Sequence, residues 1–414
     1  MPRGEPMNEA TGGAPRSAGP ALDWLNLFVA NIQTGFGPFI AVYLTTQGWT
    51  QTAIGLALSV GTVAAMASQV PAGALVDAAR RKSLAAAFSI LAFTLSALIF
   101  ALWPAPLFVY IAEILHGFSS CTLGPAIAAM SLALAGRARL GLRFGRNARF
   151  SSIGSGIGAA LMGACGYYLS NQAIFFLTAA LTLPALAVLR PLAHLDENRG
   201  RAGVAPQRQA TPVSVLLRDR RLLIFAACAM LFTLANAGIL PIASTYLTKR
   251  LGAGASLMIA ACIVLPQIVV AVLSPQIGRL AEERGRRGAM LLGFLALPLR
   301  ALLFVVVTNP FAMVLVQALD GLAAAAFGVM VPLVTSDVAG RSGHFNLSLG
   351  MIGLAIGIGG ALGTPLAGWL ADDYGRAAAF AGLASIGSLA FLLVWGAMPE
   401  TRPVEAARAS NLTR

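Results

Sequence analysis

Apolar stretches of close to 20 residues recur along this whole chain, separated by short polar breaks. A helix needs about 20 apolar residues to cross a hydrocarbon core of about 30 Å. Twelve stretches meet that requirement, at 22–45, 52–74, 84–104, 107–134, 149–169, 171–190, 222–247, 256–278, 288–308, 311–335, 346–369 and 377–398. The period-two alternation of a membrane β-barrel is absent. Gly and Pro punctuate many runs, which membrane helices tolerate where neighbours satisfy the freed backbone groups. The pattern predicts an all-α integral membrane protein with 12 transmembrane helices.

Composition agrees, at 57% hydrophobic and 11% charged, against about a quarter charged in soluble domains. The net charge of +13 gains its meaning from position. Of the 29 Lys and Arg, 25 fall in the tails and loops on one side of the spans, and three (Lys249, Arg250 and Arg376) on the other. Arg300 alone lies inside a run. Positive loops stay in the cytoplasm, so a multi-pass protein of the cytoplasmic (inner) membrane with both termini cytoplasmic is expected. That topology accounts for the basic residues. No aromatic-interleaved basic patch points to nucleic acid, and the expected partners are a small-molecule substrate, protons and the lipid bilayer, with the chain a monomer. The four cysteines lie within apolar runs without metal-site or disulfide spacing, so they read as small core residues. Residues 1–20 read as a disordered tail, 192–220 as a linker between two bundles at 21–191 and 221–399, and 400–414 as a second tail.

The two bundles repeat one another. Gly35–Thr45 aligns with Gly238–Thr248 at an offset of 203, and His116-Gly117 aligns with Asp320-Gly321 at 204. After spans two and eight stand two charged hairpins, Gly73-Ala-Leu-Val-Asp77-Ala-Ala-Arg80-Arg81-Lys82 and Gly278-Arg-Leu-Ala-Glu282-Glu-Arg-Gly285-Arg286-Arg287. Transporters often place a central site between two such repeats.

Six plus six spans, a basic middle loop and these hairpins resemble the major facilitator superfamily, whose hairpin reads Gly-x-x-x-Asp-basic-x-Gly-x-basic-basic. The first copy keeps Gly73, Asp77, Arg81 and Lys82, but has Ala78 for a basic residue and Arg80 for a glycine. The second keeps Gly278, Gly285, Arg286 and Arg287, with Glu282 for Asp. The resemblance covers residues ~21–399. It implies two pseudo-symmetric six-helix bundles, and gating in which Asp77 faces the start of span eleven and Glu282 the start of span five. An anion at a helix N-terminus gains about 0.3–1 kcal/mol. The other reading of both hairpins is an orientation signal only. The basic residue that the family places in span four is absent, and Glu113 stands there.

Ionisable groups inside a membrane are costly and mark function by default. Arg300 and Asp320 lie ten residues either side of Pro310, hence at one depth in adjacent antiparallel helices, and an ion pair is expected. The pair is either a clamp or a site where Asp320 exchanges its partner for a proton or substrate. Glu113 and His116, three apart on span four, share a helix face and are candidates for proton coupling; a satisfied polar pair is the plainer reading. Asn31, Gln33 and Asn236 stand beside Gly/Pro breaks and suit a polar ligand near the midplane, with Gln69 and Gln267 as further substrate-binding candidates; interhelical glue is the alternative. Asp23 reads as a helix cap at the cytoplasmic mouth. Gly350 to Gly368 form a small-residue face suited to sliding or to static packing.

No nucleotide-binding loop, catalytic triad spacing or zinc motif is present, so no enzyme and no cofactor is expected. The expected function is secondary active transport of a small organic solute by alternating access, as proton-coupled export. Proton-coupled uptake of a sugar or organic acid is the alternative. A receptor that kept the fold and lost transport is the rival of another class.

Overall fold

The computed structural model describes residues 17–36, 38–49, 51–136, 139–201, 218–251, 255–339 and 344–402. Among them the chain forms fourteen helices. The first half holds α1 (Ala18–Thr34), α2 (Pro38–Thr46), α3 (Gln51–Ala78), α4 (Lys82–Leu102), α5 (Pro106–Ala135), α6 (Leu140–Tyr168) and α7 (Asn171–Arg201). The second holds α8 (Arg220–Ala237), α9 (Ile239–Leu251), α10 (Ala255–Glu283), α11 (Arg286–Val306), α12 (Pro310–Val316), α13 (Ala318–Ala339) and α14 (Phe345–Ala397).

These helices are the twelve expected spans. Tight turns divide α1 from α2 near Gly35, α8 from α9 at Gly238 and α12 from α13 at Gln317, so each pair makes one crossing. The 53 residues of α14 make two crossings, because Gly375 inside it has φ 84°. A side chain rarely adopts that value, and glycine permits the reversal. Among the described residues ten segments are long and apolar enough to span a membrane. α6 is as long but less apolar, because its first turns carry Arg143, Arg146 and Arg149.

Two boundaries differ from expectation. α1 begins at Ala18, and α7 continues to Arg201 through the first ten residues assigned to the linker. Leu, Glu and Arg in 192–201 are good helix formers, so the helix persists after leaving the apolar zone. Most of the N-terminal tail, the rest of the linker up to residue 217 and most of the C-terminal tail lie outside the described residues.

Each half buries its own aromatic core. Phe36, Phe93, Phe100 and Phe175 meet in the first, and Phe232, Phe294 and Phe327 in the second. Outward positions such as Phe88, Leu95, Val272 and Leu302 are exposed and apolar, a surface suited to lipid. The halves meet where α3 packs on α14 and α6 on α10. Glycines set that approach: a Cβ on Gly145 would overlap the Ser274 carbonyl, and one on Gly350 the Gln69 carbonyl. The small residues of α14 serve two faces. Gly350, Gly353 and Gly357 turn to α3, whereas Gly359 and Gly363 pack on the α8 backbone.

Candidate functional site

Between the halves lies a cavity of about 530 Å³. Gln33 from α1, Gln69 from α3, Ser120 from α5, Asn147, Ser151, Ser152 and Ser155 from α6, and Gln267 from α10 line it. Apolar groups complete the wall, among them Val29, Ile127, Phe144, Val270, Val331 and Leu349. Three of the five amide candidates therefore face one space. The other two do not. Asn31 is 2% exposed and lies against Gly158 of α6. Asn236 accepts a hydrogen bond from Arg300 Nη1 at 2.6 Å. Ser152 Oγ donates to Gln267 Oε1 at 2.5 Å and joins the two halves at the cavity wall.

At one end of the molecule the halves are tied by both hairpins. Asp77 Oδ1 accepts from Asn346 N at 3.1 Å and from Asn346 Nδ2 at 2.7 Å, and Oδ2 accepts from Leu347 N at 2.8 Å. These donors are the first turn of α14. Glu282 Oε1 accepts from Gly141 N at 2.7 Å and Leu142 N at 3.3 Å, the first turn of α6. The first backbone N–H groups of a helix lack intrahelical partners, so each carboxylate completes a helix of the opposite half. Gly73 and Gly278 let the backbones touch: a Cβ on either would overlap the carbonyl of Asn346 or Gly141.

The basic residues of the hairpins work within their own halves. Lys82 Nζ donates to the Val76, Asp77 and Ala79 carbonyls at the end of α3, while Arg81 is exposed. Arg286 Nε pairs with Asp337 Oδ2 at 2.9 Å, and Arg287 donates to the Trp395 carbonyl. Gly285 has φ 101° and sits against the Glu400 carboxylate. Glu400 accepts from Arg286 N at 2.8 Å and Arg287 N at 3.1 Å, and so caps α11. Glu400 opens the expected C-terminal tail, and an acid directly after the last span is its one signal in the sequence.

Two polar clusters lie within the membrane-spanning helices. Arg300, 1% exposed, reaches Asp320 Oδ1 at 2.5 Å and Asn236 through the same nitrogen. In the first half His116 Nδ1 is 3.7 Å from Glu113 Oε2, and its ring stacks on Phe36 at 4.4 Å. Glu113 is 2% exposed, and its Oε1 has no hydrogen-bond partner among the described residues. A Cβ on Gly61 would overlap the other oxygen. At the offset of 204, Glu113 and His116 correspond to Gln317 and Asp320, and Arg300 corresponds to Ser96. Ser96 donates to the Ala112 carbonyl at 2.7 Å, so the position equivalent to Arg300 offers Glu113 no guanidinium.

Asp23 is not a cap. α1 starts five residues before it, and Asp23, 1% exposed, pairs with Arg143 and, at 2.5 Å, with Arg146 of α6. Arg143 Nε donates to Asn147 Oδ1 at 2.8 Å, and Asn147 Nδ2 to Ser131 Oγ at 2.7 Å. This network reaches the cavity at Asn147, which is among its lining residues. The three-residue spacing of Arg143, Arg146 and Arg149 was its only trace in the sequence.

Two six-helix bundles around a shared cavity, joined at one end by reciprocal carboxylate–helix contacts, are the architecture of a membrane transporter, not of an enzyme. The chain belongs to the Major Facilitator Superfamily, whose family model matches residues 24–297 and 226–411. It is 34% identical over 388 residues to MFS-type transporters of Mycobacterium tuberculosis strains CDC 1551 and H37Rv, covering 92% of this chain and 93% of each relative. Among solved structures it is similar to a proton:xylose symporter (TM-score 0.76, 13% identity, 95% of this chain and 98% of that one). It is also similar to a nucleoside transporter (TM-score 0.63, 18% identity, 91% and 100%). A human organic anion transporter gives a TM-score of 0.68 at 15% identity, covering 92% of this chain and 100% of that one. At these identities the solved structures establish the fold alone.

Proposed function

We propose that this transporter exports a small organic solute in exchange for protons, with the hairpins and both termini in the cytoplasm of a bacterial inner membrane. The observation that carries the coupling is Glu113, buried with one carboxyl oxygen unpartnered beside His116. An unpaired buried charge is costly and a neutral carboxyl is not, so a proton taken up there changes the energy of this packing. His116 is 23% exposed and can pass the proton inward. Asp320 serves as the second proton-coupling group, since its guanidinium partner can take part in the exchange.

With the hairpins cytoplasmic, the closed latches define an outward-facing conformation. Release of Asp77 from α14 and of Glu282 from α6 then accompanies opening to the cytoplasm, with Gly73 and Gly278 setting the depth of contact. The largely apolar cavity wall favours export, because it suits solutes that enter cells through lipid and must be returned.

Uptake with protons is the second reading, favoured by the likeness to a proton:xylose symporter. Purified protein in liposomes separates them. Export by exchange predicts solute movement against an opposing proton flux, and collapse of the pH gradient by an ionophore abolishes it. Accumulation with, rather than against, the proton flux establishes uptake. Specific binding without flux under any gradient establishes a receptor.

A further inference from the structure

Among the described residues the cavity wall carries no Asp, Glu, Lys, Arg or His. Behind the lining residue Asn147 the charged groups are held in a network, in which Asp23 pairs with both Arg143 and Arg146 and Arg143 also binds Asn147. A charged solute entering this space would lose water without meeting a counter-charge on the lining, at a large cost in free energy.

The neutral polar groups are unevenly placed. The side chains of Gln33, Gln69, Ser120, Ser151 and Ser155 line the cavity and make no hydrogen bond to another described residue. All five belong to the first half. Ser151 and Ser155 are four apart on α6 and share one face. The second half contributes Val270, Ala324, Val331, Pro332 and Leu349, and its one amide, Gln267, accepts from Ser152 through Oε1 and keeps only its NH2 group for a solute. The unpartnered polar side chains are therefore concentrated on the first half, among apolar neighbours, and the second half contributes mainly apolar surface.

We infer that the transported solute is uncharged and two-faced, with a hydrogen-bonding edge read by Gln33, Gln69, Ser151 and Ser155 and an apolar face against the second half. This rests on the cavity being the transport site, and it names the substrate class for that site. In alternating access such a solute bridges the bundles without an ion pair to either, so its net charge adds nothing to the charge moved by protons.

The test uses the full chain purified in lipid nanodiscs and a library of compounds of equal size range, sorted as neutral, anionic or cationic at pH 7. Thermal stabilisation ranks binding, and the best binders of each class are measured by calorimetry. The neutral class should bind at least about tenfold more tightly than either charged class, a difference of about 1.4 kcal/mol. Gln69→Ala with Ser151→Ala should remove that binding while leaving the ligand-free melting temperature unchanged. Gln69→Glu should admit cationic compounds. A charged class that binds as tightly as the neutral one overturns the inference, as does neutral binding that survives the double variant or a library with no neutral binder. Flux of the bound compounds in liposomes is read separately. Neutral binding without flux refutes transport and leaves the ligand class standing, whereas flux of a charged compound does the reverse.

Discussion

Asp77→Asn tests whether the first hairpin sets the conformational equilibrium. The Oδ1 acceptor facing Asn346 can persist, but an NH2 group replaces the oxygen that accepts from Leu347 N at 2.8 Å. Leu347 is 6% exposed, so its N–H loses its partner in the closed arrangement. A buried unsatisfied donor costs about 1–3 kcal/mol, and loss of an anion at a helix N-terminus adds about 0.3–1 kcal/mol. When the hairpin end opens, water reaches that N–H, so the cost falls mainly on the closed state. A bias of about 1–3 kcal/mol changes the closed-to-open ratio roughly 5–150-fold. Spin labels at Arg80 and Glu283, exposed residues on hairpins of opposite halves, report the opening as a distance distribution. The long-distance population should grow and transport should fall, with membrane abundance unchanged. An unaltered distribution together with unaltered flux would refute the reasoning and leave the hairpin an orientation signal.

Glu282→Gln removes the acceptor charge for two backbone donors instead of three donors in all, so its opening should be smaller than that of Asp77→Asn by the same labels. Gly73→Val places a side chain on the Asn346 carbonyl and should open the hairpin end with Asp77 intact; a closed distance distribution would show that the glycine is dispensable. Glu113→Gln should abolish accumulation driven by a pH gradient while solute exchange at equal pH continues, and retained gradient-driven accumulation removes Glu113 from the coupling path. Asp320→Ala leaves Arg300 buried without its charge partner, which should destabilise the protein by about 3–5 kcal/mol in denaturant unfolding. Adding Arg300→Met should restore much of the stability; flux that returns with it identifies a clamp, and stability without flux identifies Asp320 as functional.

Much of the fold was legible along the chain because a bilayer imposes a local rule. Each crossing must be a helix of about 20 apolar residues, and that length can be counted without knowing any neighbour. The repeat at 203–204 residues marked the two halves. Equal distances from Pro310 placed Arg300 and Asp320 at one depth, because depth follows from rise per residue. The hairpin contacts of Asp77 and Glu282 could be expected from the family's pattern, although neither spacing nor hydropathy names the helix each carboxylate reaches.

What the linear pattern could not decide was rotation. A span that is apolar on every side has no polar stripe to say which face meets its partners. Asn31 and Gln33 are two residues apart on α1 and point to different surroundings: Gln33 enters the cavity, and Asn31 lies against Gly158. Asn236 resembles Gln33 in sequence, but Arg300 claims its side chain. Asp23 turned from an expected cap into the partner of two arginines on α6, and Glu400 from tail residue into the cap of α11. The sequence by itself determined a twelve-span, two-bundle membrane protein, since crossing length, loop charge and repeat offset are properties of consecutive residues. Only the tertiary structure decided which polar groups share the cavity and which are spent on one another, since that depends on how helices far apart in the chain are turned and pressed together.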